Sequence, residues 1–186
     1  MNGAISDAFI AKQADANRQA ALGWIAALGQ GDFPAIFALH AEDFISNLVG
    51  TTGVSGCSAG RDDYFAYTYE QVMTKLDGTS EPYLKSWRLA CTDHNAAALL
   101  FHGGLPAIDG VPAGRYDQNY LIIVQASAGK IRKLTELVDT AMIETAIYRR
   151  RLPVPRSSPA RPFSPELQRG DTALGEIGRA SCRERV

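Results

Sequence analysis

Glu136 and Asp117 are the two carboxylates whose setting in the sequence best suits proton transfer. Both lie in alternating stretches: Asp117, Asn119, Leu121 and Ile123 share one face of an extended segment, and Leu134, Glu136 and Val138 share one face of the next. If these faces line one concave surface, polar groups stand above an apolar floor. A carboxylate held there loses water, its pKa rises, and it becomes a general acid or base near neutral pH. Simpler roles compete. Glu136 could be a hydrogen-bonded structural lock, and Asp117 an exposed strand carboxylate paired with Arg115 or Arg132.

The histidines and aromatics carry weaker signals. His40 follows Phe33, Ile36 and Phe37 at helical spacing, where a satisfied core histidine is favoured over an acid–base group. His102 ends the apolar run AAALLFH and either reaches a pocket or caps a loop. Trp87 alternates with Lys85 on a strand, so sheet packing explains it as well as substrate stacking does. Tyr64, Phe65, Tyr67 and Tyr69 read as core and rim more readily than as a ligand cage.

These residues must be positioned by helices in the first half and strands in the second. Apolar residues recur near helical spacing from Ile5 to Leu28, the glycines at 29 and 31 stop that helix, and Asp32 caps the next. A short strand is expected at 44–49, then a glycine-rich loop, then a third helix from about Arg61. The loop lacks the Gly-Lys-Ser/Thr ending of a phosphate cradle. Strands are expected at 82–91, 95–103, 115–126 and 130–139, with a tight hairpin at 127–129. The order implies an α+β fold in which a curved antiparallel sheet wraps onto three N-terminal helices.

Composition bounds the function. With 186 residues, 46% of them hydrophobic, and a formal charge of -1, the chain suits one domain, and no charge bias points to nucleic acid or to an anionic membrane. Asp7, Lys12 and Asp15 interrupt the first segment where a signal peptide needs an apolar core, so a cytoplasmic location is expected. The 3 cysteines, Cys57, Cys91 and Cys182, are unclustered, which argues against a disulfide framework and a metal site.

The domain is expected to span 1–150. Prolines at 153, 155, 159, 162 and 165 interrupt the following stretch, 151–175, which reads as a flexible tail. Residues 176–186, EIGRASCRERV, match the translation of a common sequencing adapter, pointing to a metagenomic shotgun origin, and carry no functional argument.

The closing segments contain Tyr116, Asn119 and Tyr120, then Gly129, Lys130 and Ile131, then Glu136, Asp139 and Thr140. In this order they resemble the SnoaL-like group of the nuclear-transport-factor-2-like superfamily, whose members often read Tyr-x-x-Asn-Tyr, a Gly-Lys-Ile turn, and Glu-x-x-Asp-Thr. The resemblance runs from about 7 to 148 and implies the cystatin-like α+β roll, a cone-shaped, strongly curved, mixed or antiparallel sheet wrapped around three N-terminal helices. Trp24 lies where ketosteroid isomerases carry an oxyanion-binding tyrosine, and Asn47 is nearest to their general-base aspartate. An indole N–H donates one hydrogen bond but is no phenol, and an amide has no useful basicity, so steroid isomerisation by that mechanism is disfavoured.

Two functional classes follow from the resemblance. One is a small cofactor-free enzyme performing cyclisation, isomerisation, dehydration or hydration on a hydrophobic cyclic or polyketide-like molecule, with Glu136 or Asp117 moving the proton and Asn119 and Trp24 orienting a carbonyl. The other is a non-catalytic binding or dimerisation module. Asn47, His40, His102, Tyr67 and Trp87 complete the candidate ligand contacts. A homodimer is implied, expected through an outer sheet face bearing Tyr116, Gln118, Tyr120 and Ile122.

Overall fold

Ser6 starts the first helix by accepting a hydrogen bond from the Phe9 N–H at 3.3 Å, and Gly31 ends it in the left-handed conformation, φ 68°. The computed structural model describes residues 6–51, 54–66, 71–108 and 115–149. Helix α1 spans Asp7–Gln30. Asp32 caps α2, Phe33–Leu39, accepting from the Ala35 N–H at 2.9 Å, as its position in the sequence predicts. The helix stops one residue short of expectation. His40 is extended, φ -83° and ψ 142°, and opens strand β1, His40–Val49, four residues before the expected start at 44.

The glycine-rich segment contains an unexpected strand, β2, Gly56–Ala59, antiparallel to β1, with the Ser46 and Ser58 hydroxyls 2.8 Å apart. The third helix appears as two short pieces, α3, Arg61–Tyr64, and α4, Gln71–Met73, and Tyr67 lies outside the described residues. Strands β3, Leu84–Thr92, β4, Ala97–Pro106, β5, Arg115–Ser127, and β6, Lys130–Leu137, follow. The chain then turns into α5, Thr140–Met142, and one π-helical turn, Ile143–Ile147, both beyond the expected strand end at 139. Asp139 forces this turn, because its carboxylate accepts from the Ala141 and Met142 N–H groups. The expected flexible tail, 151–175, and the adapter-like 176–186 lie outside the described residues.

One six-stranded mixed sheet results, in the order β2-β1-β6-β5-β4-β3. All pairs are antiparallel except β1 with β6. Helix α1 lies on β3, β4 and β5 and buries Ala21, Ile25 and Leu28 against a core containing Leu99, Ile122, Val124 and Leu134. Asn17, fully buried, staples it there by donating to the Asp93 carbonyl at 3.0 Å and accepting from the Ala126 N–H at 2.8 Å. Among the described residues, no helix is long and apolar enough to cross a membrane.

The β5–β6 hairpin decides what enters the core. Ala128 and Gly129, at φ 51° and 73°, form a two-residue turn between the paired Ser127 and Lys130. Continued regularly, that register would place Leu121 opposite Glu136. Instead Ala126 pairs with Ile131 and Gln125 with Lys133, so Arg132 is an extra residue, and beyond this bulge Ile122 faces Glu136. A one-residue shift exchanges the two faces of a strand. The side chains of Tyr116, Gln118, Tyr120 and Ile122 are therefore buried, and Asn119 is exposed.

Candidate active site

Glu136 sits on the inner sheet face between Leu48 of β1 and Ile122 of β5, only 7% exposed. Tyr64, at the end of α3, donates its hydroxyl to Glu136 Oε1 at 2.8 Å. Loss of water on burial pushes this carboxyl up to about 7, against the smaller downward pull of the tyrosine bond. A carboxyl with that pKa exchanges its proton readily at neutral pH. Tyr64 is itself held by Phe44 and His40, whose rings lie 5.1 and 5.8 Å from it.

The cavity that Glu136 faces is closed by Trp24 and Leu28 of α1, Met73 of α4, Phe101 of β4, and Val138 and Ile143 beyond β6. Its volume is about 70 Å³, several times the roughly 10–15 Å³ that one ordered water requires. Phe101 stacks on Tyr120 at 4.3 Å and 8°, which gives the cavity one flat aromatic wall. Trp24 is 3% exposed, and its indole N–H has no hydrogen-bond partner among the described residues. A buried unpaired donor lining a cavity costs roughly 1–3 kcal/mol, which an acceptor on a ligand would recover.

Besides Tyr64, three tyrosines, Tyr83, Tyr116 and Tyr120, line this cavity. Tyr116 and Tyr120 lean together over Gln118, hydroxyls 2.8 Å apart, and the Tyr83 hydroxyl approaches that of Tyr120 at 2.5 Å. Tyr83 precedes β3 and must cross β4 to reach β5. It does so over Gly103, where a Cβ would lie 2.7 Å from the Tyr83 Cε1. Gly103 has no left-handed φ to satisfy, so close approach is its role. Burial raises the phenol pKa of Tyr116 and, further, of Tyr120, so both remain protonated donors.

The remaining sequence candidates lie elsewhere. Asp117 and Asn119 point to the outer sheet face, a correction that follows from the bulge at Arg132. There Asp117 accepts from Arg115 at 3.0 Å and lies 3.8 Å from His102 Nε2, while His102 pairs across the sheet with Asn119. His102 is thus neither at the cavity nor a loop cap. Asn47 pairs with Thr135 and accepts from the Cys57 thiol at 3.4 Å. Trp87 sits opposite Phe101 on the edge strand, 48% exposed. His40 is fully buried among Phe44, Tyr64 and Phe65, its Nδ1 2.8 Å from the Ile36 carbonyl, and desolvation pushes its pKa down to about 4. It does not line the cavity.

The sequence favours a core or rim role for Tyr64 and a dimer face for Tyr116 and Tyr120, and it does not single out Tyr83. The amphipathic contrast within β5 was the available signal, since Tyr116 and Tyr120 are more apolar than the alternating Asp117 and Asn119.

No family model matches this chain, and no curated protein sequence matches it. Solved structures do. A protein from a soil-derived mobile gene cassette is 18% identical, covers 73% of this chain and 98% of its own, and superposes with a TM-score of 0.58. A phenazine biosynthesis-related protein from Pseudomonas aeruginosa is 18% identical over 86% of this chain and 96% of its own, TM-score 0.57. A nuclear-transport-factor-2-like protein from Burkholderia xenovorans is 18% identical over 72% and 96%, TM-score 0.50. The fold is nuclear-transport-factor-2-like. At these identities the likeness concerns the fold, and the chemistry must be argued from the cavity.

Proposed function

We propose that this protein is a small cofactor-free acid–base enzyme acting on a hydrophobic, cyclic or polyketide-like carbonyl compound. The observation that supports this reading is Glu136: a carboxyl in an apolar cavity, raised to about 7, with tyrosine hydroxyls lining the same space. As a carboxylate it takes a proton from the carbon next to the carbonyl. The C–H electron pair forms the enolate double bond, and the carbonyl oxygen takes the negative charge. Tyrosine O–H groups and the Trp24 N–H donate to that oxygen. The enolate then recovers the proton from Glu136 at another carbon, an isomerisation, or attacks a second carbonyl of the same molecule, an aldol cyclisation in which Glu136 returns its proton to the new alkoxide.

The test is a thermal-shift screen of cyclic ketones, epoxides and polyketide-like compounds, with turnover assays on the hits. Glu136→Gln preserves shape and the Tyr64 bond while removing basicity, so turnover should fall roughly a hundredfold or more with binding retained. Binding without turnover, equally strong in both proteins, would instead support a non-catalytic binding module.

We also propose a homodimer. Val49, Leu137, Leu121 and Leu100 pair in series across β1, β6, β5 and β4 and form an apolar row on the outer sheet face. Val49 and Leu137 are 42% and 37% exposed. A second copy covering this row would remove it from water. Light scattering should give a dimer that Leu137→Lys converts to monomer. A wild-type monomer at high concentration would refute this.

A further inference from the structure

Helix α2 is closed by the side chain of the residue that follows it. In a regular helix the Ile36 carbonyl would accept from the His40 N–H, but that N–H donates to the Phe37 carbonyl instead. The Ile36 carbonyl is taken up by the imidazole, whose Nδ1 lies 2.8 Å away. A carbonyl only accepts, so Nδ1 carries the hydrogen and Nε2 keeps a lone pair. That second nitrogen is buried and has no hydrogen-bond partner among the described residues. A phenylalanine would fill the same space without leaving an acceptor unpaired, so what histidine adds here is the bond that fixes its ring.

The fixed ring lies against α3. Four residues cannot hold a helical turn by themselves, and both ends of α3 rest on His40. At one end Arg61 Nη1 reaches the His40 carbonyl at 3.5 Å. At the other, the Tyr64 ring lies 5.8 Å from the imidazole, tilted by 40°. Phe44 and Phe65 stand edge-on to the same imidazole at 4.5 and 5.5 Å, which leaves it little room to turn. The Tyr64 hydroxyl, aimed in this way, meets Glu136 Oε1 at 2.8 Å. We propose that His40 is a positioning residue for Glu136: tied to the end of α2, it sets the Tyr64 ring whose hydroxyl holds the carboxyl. It touches no substrate and moves no proton. The inference rests on the proposed function only for the use made of that carboxyl, and the link itself can be read without turnover.

The readout is the titration midpoint of Glu136, followed by carbon-detected NMR and assigned by the signal missing from Glu136→Gln. The ionisable residues lining the cavity are Tyr64, Tyr83, Tyr116, Tyr120 and Glu136, so Glu136 is the one carboxyl among them. The Tyr64 bond favours its charged form, and losing that bond raises the midpoint. A core that is merely loosened does the opposite, because water entering it lowers the midpoint towards the ordinary 4.5. Tyr64→Phe should therefore raise the midpoint by about half a pH unit or more. His40→Phe, which keeps a ring but loses the Ile36 bond, and His40→Leu, which loses both, should each raise it as well. Neither should raise it further in a Tyr64→Phe background, since the same bond is lost. An unchanged or lowered midpoint in the His40 variants would overturn the proposal, as would an unchanged one in Tyr64→Phe. His40→Leu decides the matter if His40→Phe does not fold. The expected shifts without turnover of any compound would count against the proposed function alone.

Discussion

Replacing Glu136 by Gln should change stability in a way that depends on pH, and the sign follows from burial. The unfolded carboxyl titrates near 4.5 and the folded one near 7, a difference on the order of 3 kcal/mol between full protonation and full ionisation. Below about pH 4.5 the group is neutral in both states and its contribution is fully present. Between the two values the folded state holds a proton that the unfolded state has lost, so stability falls as pH rises, and above about 7 the contribution is gone. His40 acts oppositely. Its pKa drops from 6.5 to about 4 on folding, so its contribution is lost as pH falls through that range. The two slopes oppose each other over most of their span, and the wild-type curve should be shallow there. The difference between wild type and Glu136→Gln isolates the carboxyl. Urea unfolding at half-unit steps from about pH 4.5 to about 8.5 should show the variant gaining on wild type by up to about 3 kcal/mol as pH rises. A difference flat to within about 0.5 kcal/mol would mean an ordinary carboxyl and no neutral-pH base. A difference of opposite sign would mean that the charged form is the one the fold stabilises.

Gly103→Ala forces a Cβ into the Tyr83 ring and should cost about 1–3 kcal/mol through overpacking; in a Tyr83→Ala background most of that cost should vanish in a double-mutant cycle by urea unfolding. Asn17→Ala strands the Ala126 N–H and the Asp93 carbonyl and should lower stability by about 2–3 kcal/mol, seen as a lower melting temperature. Asp117→Asn and Asn119→Ala, both on the outer sheet face, should leave the affinity for any cavity ligand within about twofold by calorimetry, because neither side chain reaches the cavity. Turnover, once a substrate is found, should rise with pH through about 7 as Glu136 ionises, and a profile flat across that range would exclude it as the base.

The fold was legible because its signals are local. Asp32 before an apolar helical repeat, glycine at 31, and the tight turn at 127–129 mark boundaries without reference to the rest of the chain. Glu136 was legible too, as a lone carboxylate between apolar residues. Its partners were not. Their identity depends on which face of β5 meets Glu136, and that parity is reversed by the extra residue at Arg132, whose mark in the sequence is one pair of adjacent polar residues, Arg132 and Lys133, between Ile131 and Leu134. His40 fitted the helical repeat, yet α2 closed at Leu39 and β1 took the next residue to pair with Ile131 in the distant β6. Strand β2, with the sequence GCSA, has no apolar run and forms only because β1 offers it an open edge.

Strand β6 is inserted between β1 and β5, so β1 must wait for a partner made much later during synthesis. At roughly 5–20 residues per second, the interval between His40 and its ladder partner Ile131 leaving the ribosome is on the order of 5–20 s. Throughout that time β1 can hold only β2, and the edge that later meets β6 is open to any other strand. Strands β3, β4 and β5 pair with sequence neighbours and can assemble as they emerge. The parallel β1–β6 junction joins the residues farthest apart in the chain, and Glu136 lies in it, between Leu48 from one side and Ile122 from the other. Its burial needs strands from both sides, so the raised proton affinity of this carboxyl belongs to the joined sheet and to neither half alone.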